Sequence, residues 1–174
     1  TNYQKSDPTD AAICYHNLGM IAEKEQPFDE AFTLYKKALS LDSNNLDMIL
    51  WHAAIYEGLK NYEKAYKLYS RAINLDVENP EYYEHRAILS QKSKDYASTK
   101  KDFKQALKIS PEDTRLISII GLFYAKQNEF KKSFKLYNDA ISKNPEEIFA
   151  YNYRARTHLL LSDTSSALYD FKKS

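Results

Sequence analysis

The chain has 174 residues, 43% of them hydrophobic, with three glycines, five prolines and one cysteine. Its 25 basic and 24 acidic residues leave a formal net charge of +1, so no global field is available to hold a polyanion, and nucleic acid is not expected as a partner. No run of about 18 apolar residues occurs, which excludes a membrane-spanning helix, and the lone Cys14 excludes an internal disulfide.

From Ala12 onward the chain repeats at a spacing of 34. Units begin at Ala12, Leu46, Pro80, Thr114 and Ile148, giving repeats over 12–45, 46–79, 80–113, 114–147 and an incomplete 148–174 after a lead-in over 1–11. Alanine recurs at 38, 72, 106 and 140, and an aromatic residue at 35, 69, 103, 137 and 171. The twentieth position is always small: Ala31, Ala65, Thr99, Ser133 and Ala167. In the first unit the apolar spacing predicts two helices near 12–25 and 29–42, with Tyr15, Leu18 and Ala22 on one and Ala31, Tyr35 and Ala38 on the other. The same pair is predicted at each later offset. Polar links such as Asp42-Ser43-Asn44-Asn45 and Lys60-Asn61 turn the chain back, and Pro111 and Pro145 stop the later second helices. A self-similar period of this size means that each hairpin buries its apolar face only by stacking on its neighbours.

The segment Tyr15, Leu18, Gly19, Ala31, Tyr35, Ala38 resembles the tetratricopeptide repeat pattern, over about nine-tenths of the chain. The resemblance implies an all-α fold, a right-handed superhelical solenoid of antiparallel helix hairpins, and protein binding rather than catalysis. Later units depart from the leucine-glycine pair with His52-Ala53, Arg86-Ala87, Ile120-Gly121 and Arg154-Ala155. The two arginines stand where the pattern has an apolar residue, so looser packing of those first helices is expected.

Catalytic signals are missing. There is no glycine-rich phosphate cradle, no metal-spaced cysteine or histidine pair and no serine elbow, so no enzyme activity, cofactor or metal is expected. His16, His52, His85 and His158 occupy four different repeat positions and read as polar packing residues. Cys14, at an inward position, reads as a buried packing thiol. Most of the fifteen tyrosines, including Tyr35, Tyr62, Tyr69, Tyr96 and Tyr137, sit at core positions rather than on a base-stacking platform. Lys100, Lys104 and Lys108 form a solvated stripe on one helix.

In the tetratricopeptide family the first helices line a concave groove through their second, fifth, sixth, ninth and twelfth positions. Carried over to this sequence, those positions supply Glu23, Asp47, Glu57, Glu81 and Glu84 in the first three units, and Arg115, Leu122, Phe149, Tyr153, Arg156 and Leu159 in the last two. The groove is thus expected to be acidic toward the N-terminus and apolar and mildly basic toward the C-terminus. Trp51, the only tryptophan, is either an anchor for a partner or packed between neighbouring first helices. The lysine-asparagine clamp by which the family holds acidic chaperone tails is absent in every register, and Glu81 and Glu84 would repel such a tail. The expected function is therefore a non-catalytic scaffold that takes a peptide or helix of a protein partner, with a basic segment facing the first three repeats. The alternatives are a recognition or self-association segment of a larger protein with a catalytic domain elsewhere, and, least favoured, a chaperone adaptor.

Leu168 and Phe171 have no following hairpin to cover them, so the chain is expected to continue past Ser174, or a partner or second copy to cover that face. The absence of cysteine pairs is consistent with a reducing, cytoplasmic location. The chain begins at Thr1 without a methionine, so an upstream targeting segment stays open.

Overall fold

A computed structural model of the protein describes residues 8–25 and 28–174, with side chains over 8–22 and 30–174. The described residues form helices alone: α1 (Pro8–Glu25), α2 (Phe28–Leu41), α3 (Leu46–Gly58), α4 (Tyr62–Leu75), α5 (Pro80–Lys92), α6 (Tyr96–Ile109), α7 (Thr114–Lys126), α8 (Phe130–Lys143), α9 (Ile148–Leu160) and α10 (Thr164–Phe171). From α3 on, the first helix of each hairpin starts where the repeat register places it. The second helices start one residue early, and α1 reaches back to Pro8, into the expected lead-in. None of the described helices is long and apolar enough to cross a membrane.

The chain divides into two compact units, residues 1–102 and 103–174, with the division inside α6. The N-terminal unit contains the hairpins α1/α2 and α3/α4 and then α5 with the first turns of α6. The C-terminal unit contains the end of α6 and the hairpins α7/α8 and α9/α10.

The repeated columns make the core. Ala38, Ala72, Ala106 and Ala140 are fully buried, as are the small residues of the twentieth position. A methyl-sized side chain at a helix crossing lets two backbones approach to interior packing density, and a buried ring fills the space beside it. Tyr35, Tyr69, Phe103 and Tyr137 supply those rings, whereas Phe171 in the last hairpin remains exposed, together with Leu168 and Tyr169. Tyr96, expected in the core, is exposed on the first turn of α6. Two glycines mark the tightest contacts: a Cβ at Gly19 would lie 2.6 Å from the Tyr35 ring, and one at Gly121 would lie 2.5 Å from the Tyr137 ring.

The turn inside each later hairpin is one recurring device. Lys60, Lys94, Asn128 and Ser162 all have φ near +60° (58°, 61°, 59° and 63°). The next residue then donates its N–H five residues back, as from Asn61 to Tyr56 and from Asp95 to Ser90, closing the first helix. In three of these four hairpins that same residue caps the second helix, the side chain of Asn61 accepting from the Lys64 N–H, that of Asp95 from Ser98 and that of Asp163 from Ser166, whereas Glu129 makes no such bond.

Two expectations are corrected. Arg86 and Arg154 do not loosen their hairpins. Each folds inward onto a buried aspartate, Asp102 and Asp170 respectively, with the arginine side chains only 16% and 17% exposed. Each also reaches the preceding hairpin, Arg86 Nη1 donating to Ser70 Oγ at 3.1 Å and Arg154 Nη1 to Asn138 Oδ1 at 2.6 Å. Cys14 is exposed, not buried. Its repeat counterparts Met48, Tyr82, Leu116 and Ala150 are all buried. Met48, for example, packs beside Ala38 of the preceding α2, and no helix precedes α1 among the described residues.

Candidate functional site

In the N-terminal unit the first-helix face centres on α3. Asn45 caps this helix, its side chain accepting from the Met48 N–H at 3.1 Å, and Asp47 sits in the first turn, where the helix dipole favours a carboxylate. Asp47 is exposed. Burial pushes the His16 imidazole below its ordinary value while Asp47 pulls it partly back. Burial raises the Tyr82 hydroxyl, with Asp76, Glu81 and Asp47 adding to the rise. Asp47 and exposed Glu81 therefore act on one neighbourhood of α5.

Trp51 lies one turn further along α3. One edge packs against the rings of His16 and Tyr35 at 5.9 and 6.0 Å, while 36% of the residue stays open to solvent. Tyr35 beneath it is fully buried, so the indole rests on a rigid base.

The remaining acids are less available than the sequence suggests. Glu57 is already paired, with Lys92 Nζ at 3.2 Å and His85 Nδ1 at 3.9 Å. His85 in turn stacks flat on Tyr69, ring centroids 4.9 Å apart, and burial with nearby Glu57 pushes the Tyr69 hydroxyl up to about 12. Lys92, at the thirteenth position of its unit, lies just outside the columns assigned to the groove, which is why sequence reasoning passed over it. Glu84 is 6% exposed. Ser118, at the same position of the next repeat, is also buried, whereas His16, Leu50 and Asn152 at that position are half-buried. The side chain of Glu23 lies outside the described residues.

In the C-terminal unit Phe149 and Leu159 on α9 are 45% and 47% exposed, and Arg156 between them is exposed. Tyr153 and, on α7, Leu122 and Arg115 are half-buried. Phe149 and Tyr153 form one aromatic surface with centroids 6.0 Å apart, and Glu147 caps α9 beneath it by accepting the Phe149 N–H at 3.2 Å. Among the described residues no group of three His, Cys, Asp or Glu side chains could hold a metal ion.

Profiles of the tetratricopeptide repeat match residues 24–89 and 80–113 and together span more than half of the chain. The chain belongs to the tetratricopeptide repeat family. A tetratricopeptide repeat protein from Parabacteroides merdae superposes with a TM-score of 0.83 at 23% identity, over 98% of this chain and 66% of that one. MamA from Desulfovibrio magneticus gives 0.74 at 19% identity, over 94% and 93%. PilW, a type IV pilus biogenesis factor, gives 0.73 at 24% identity, over 93% and 75%. These likenesses establish the fold, all-α helix hairpins of the kind that build tetratricopeptide solenoids. No curated protein sequence matches the chain. Proteins built on this fold generally serve as protein-interaction scaffolds.

Proposed function

We propose that this chain is a non-catalytic scaffold module whose first-helix faces take a peptide or helix from a protein partner. The observation that carries the reading is Trp51, open on one side and braced by His16 and Tyr35 on the other, with exposed Asp47 one turn before it and exposed Glu81 on the next first helix. A rigid, half-exposed indole is a low-entropy anchor, and two uncovered carboxylates beside it favour a segment bearing lysine or arginine. Their effect falls mainly on approach rate and orientation, while the indole holds the contact. Glu57, satisfied by Lys92, supports the frame of the face rather than its charge. On the C-terminal unit, Phe149, Tyr153 and Leu159 offer an apolar surface edged by Arg156, suited to apolar or acidic groups.

The test is affinity capture from the native lysate with the parent chain and an Asp47→Lys/Glu81→Lys variant in parallel. Captured proteins are then mapped as overlapping peptides. A partner that binds through a basic segment and is lost in the variant supports the reading. Partners retained equally by both would move the site off the N-terminal unit.

A further inference from the structure

On the side of the N-terminal unit away from the Asp47 and Trp51 columns, α2, α3 and α4 line an open cleft of about 410 Å³. Its floor is apolar, made by Leu39, Tyr56 and Leu68, all half-buried. Four cations surround it: Lys36 from α2, and Lys64, Lys67 and Arg71 from α4. On α4 the residues at 64, 67, 68 and 71 follow the i, i+3, i+4, i+7 rule, so they share one face over two turns, about 10 Å in length.

Glu63 answers only one of these charges, pairing with Lys67 at 2.6 Å. The Lys36 and Lys64 ammonium groups lie over the rings of Phe32 and Tyr56 at 4.3 and 5.1 Å, and Arg71 donates to the Asn44 side-chain carbonyl at 3.3 Å. His52, which also lines the cleft, has its imidazole depressed chiefly by burial, with a small further contribution from Lys36.

The geometry favours one class of occupant. A lipid surface meets protruding apolar side chains on a flat basic patch. Here Leu39, Tyr56 and Leu68 are half-buried while Lys36, Lys64 and Lys67 are exposed, so the apolar groups do not protrude as a bilayer-inserting set does. We propose that this cleft is a second binding site that takes an acidic segment of a partner protein. One apolar side chain of that segment seats between Leu39, Tyr56 and Leu68. Carboxylates about one helical turn apart meet Lys64, Lys67 and Arg71, and Lys36 closes from the opposite wall. The inference does not rest on the first-helix reading, since that face selects the opposite charge.

The experiment is a fluorescence-anisotropy titration at low salt with a fluorescein-labelled Glu-Glu-Leu-Glu-Glu-Glu-Leu-Glu-Glu peptide. The expected result is saturable binding that weakens about tenfold or more in Lys64→Glu/Arg71→Glu, and likewise when glutamine replaces glutamate or serine replaces leucine in the peptide. Lys104→Glu, on the solvated stripe of α6, should leave the affinity unchanged, and Arg156→Glu is measured beside it to locate any loss elsewhere. The milder Lys64→Gln/Arg71→Gln, checked by circular dichroism, stands in if charge reversal disturbs folding. Equal binding by the cleft variants, loss that follows Arg156 instead, or indifference to the leucines would overturn the proposal. Cleft-dependent binding to phosphatidylserine vesicles or to a single-stranded oligonucleotide, with none to the peptide, would overturn it in favour of lipid or nucleic acid.

Discussion

Arg86 grips Asp102 through two parallel hydrogen bonds of 2.8 and 2.7 Å inside the α5/α6 hairpin, and two repeats later Arg154 grips Asp170 at 2.8 and 2.6 Å. These residues occupy the seventh and twenty-third repeat positions. In the other hairpins the same two positions hold Leu18 with Leu34, His52 with Leu68, and Ile120 with Leu136. In both hairpins that carry arginine the partner has changed to aspartate, because a guanidinium in that place needs a planar carboxylate opposite it.

Removing one partner should therefore cost far more than removing both. Asp102→Leu leaves a largely buried guanidinium without its carboxylate and should destabilise by about 3 kcal/mol. The double variant Arg86→Leu/Asp102→Leu, which copies the first hairpin, should recover most of that loss. Urea unfolding of the two variants and the parent measures the difference.

The two ring-facing glycines should behave opposite to the third. Gly121→Ala places a methyl 2.5 Å from the Tyr137 ring, which is fully buried and has no free space to move into. A loss of roughly 1–3 kcal/mol is expected. Gly58 has nothing within 4 Å of a Cβ and no positive φ, so Gly58→Ala should gain about 0.5–1 kcal/mol from helix propensity alone. Thermal melts of both variants test the pair together.

Left-handed backbone at a lysine is a standing strain. Lys94, with φ of 61°, should tolerate glycine better than lysine. Lys94→Gly is expected to stabilise by about 1 kcal/mol in a chemical melt, whereas Lys92→Gly, two residues earlier and inside α5, should destabilise.

Acid should weaken the N-terminal unit. His52 is buried, donates from Nδ1 to the Met48 carbonyl at 2.7 Å, and has its pKa depressed below 6.5, chiefly by burial. Below 6.5 the unfolded imidazole takes a proton that the folded one refuses, so stability present above that pH is lost as pH falls through the folded value. His16 shifts in the same direction. The drop in melting temperature between about pH 7.5 and pH 5.5 should be smaller in His52→Leu than in the parent.

What the repeat period revealed is what each hairpin makes within itself. The alanine crossings, the small twentieth column and the rings beside Gly19 and Gly121 depend on contacts between two helices joined by a short link, so their spacing alone located them. Exposure that depends on the next hairpin was harder to read. Cys14 occupies a column that is buried in later repeats but has no helix before it among the described residues, and Glu84 is buried at a groove position where His16, Leu50 and Asn152 are only half-buried. Lys92 neutralises Glu57 from one residue outside the family's columns. The Arg86–Asp102 pair is legible only as two positions that change together, and the arginines read alone point to looser packing. The basic cleft is not legible in the sequence because Lys36 and the α4 stripe belong to different repeats and meet only once the helices pack.

Trp51 is the only tryptophan in the chain and stands at the centre of the face proposed to bind, so its emission reports occupancy without a label. The most direct measurement is a titration of that fluorescence with a lysine- and arginine-rich peptide, in the parent and in Asp47→Lys/Glu81→Lys. A saturable blue shift that is lost in the double variant is the predicted result. Binding seen by calorimetry with no change at Trp51, or an identical shift in the variant, would contradict a basic segment docked on the first helices of the N-terminal unit.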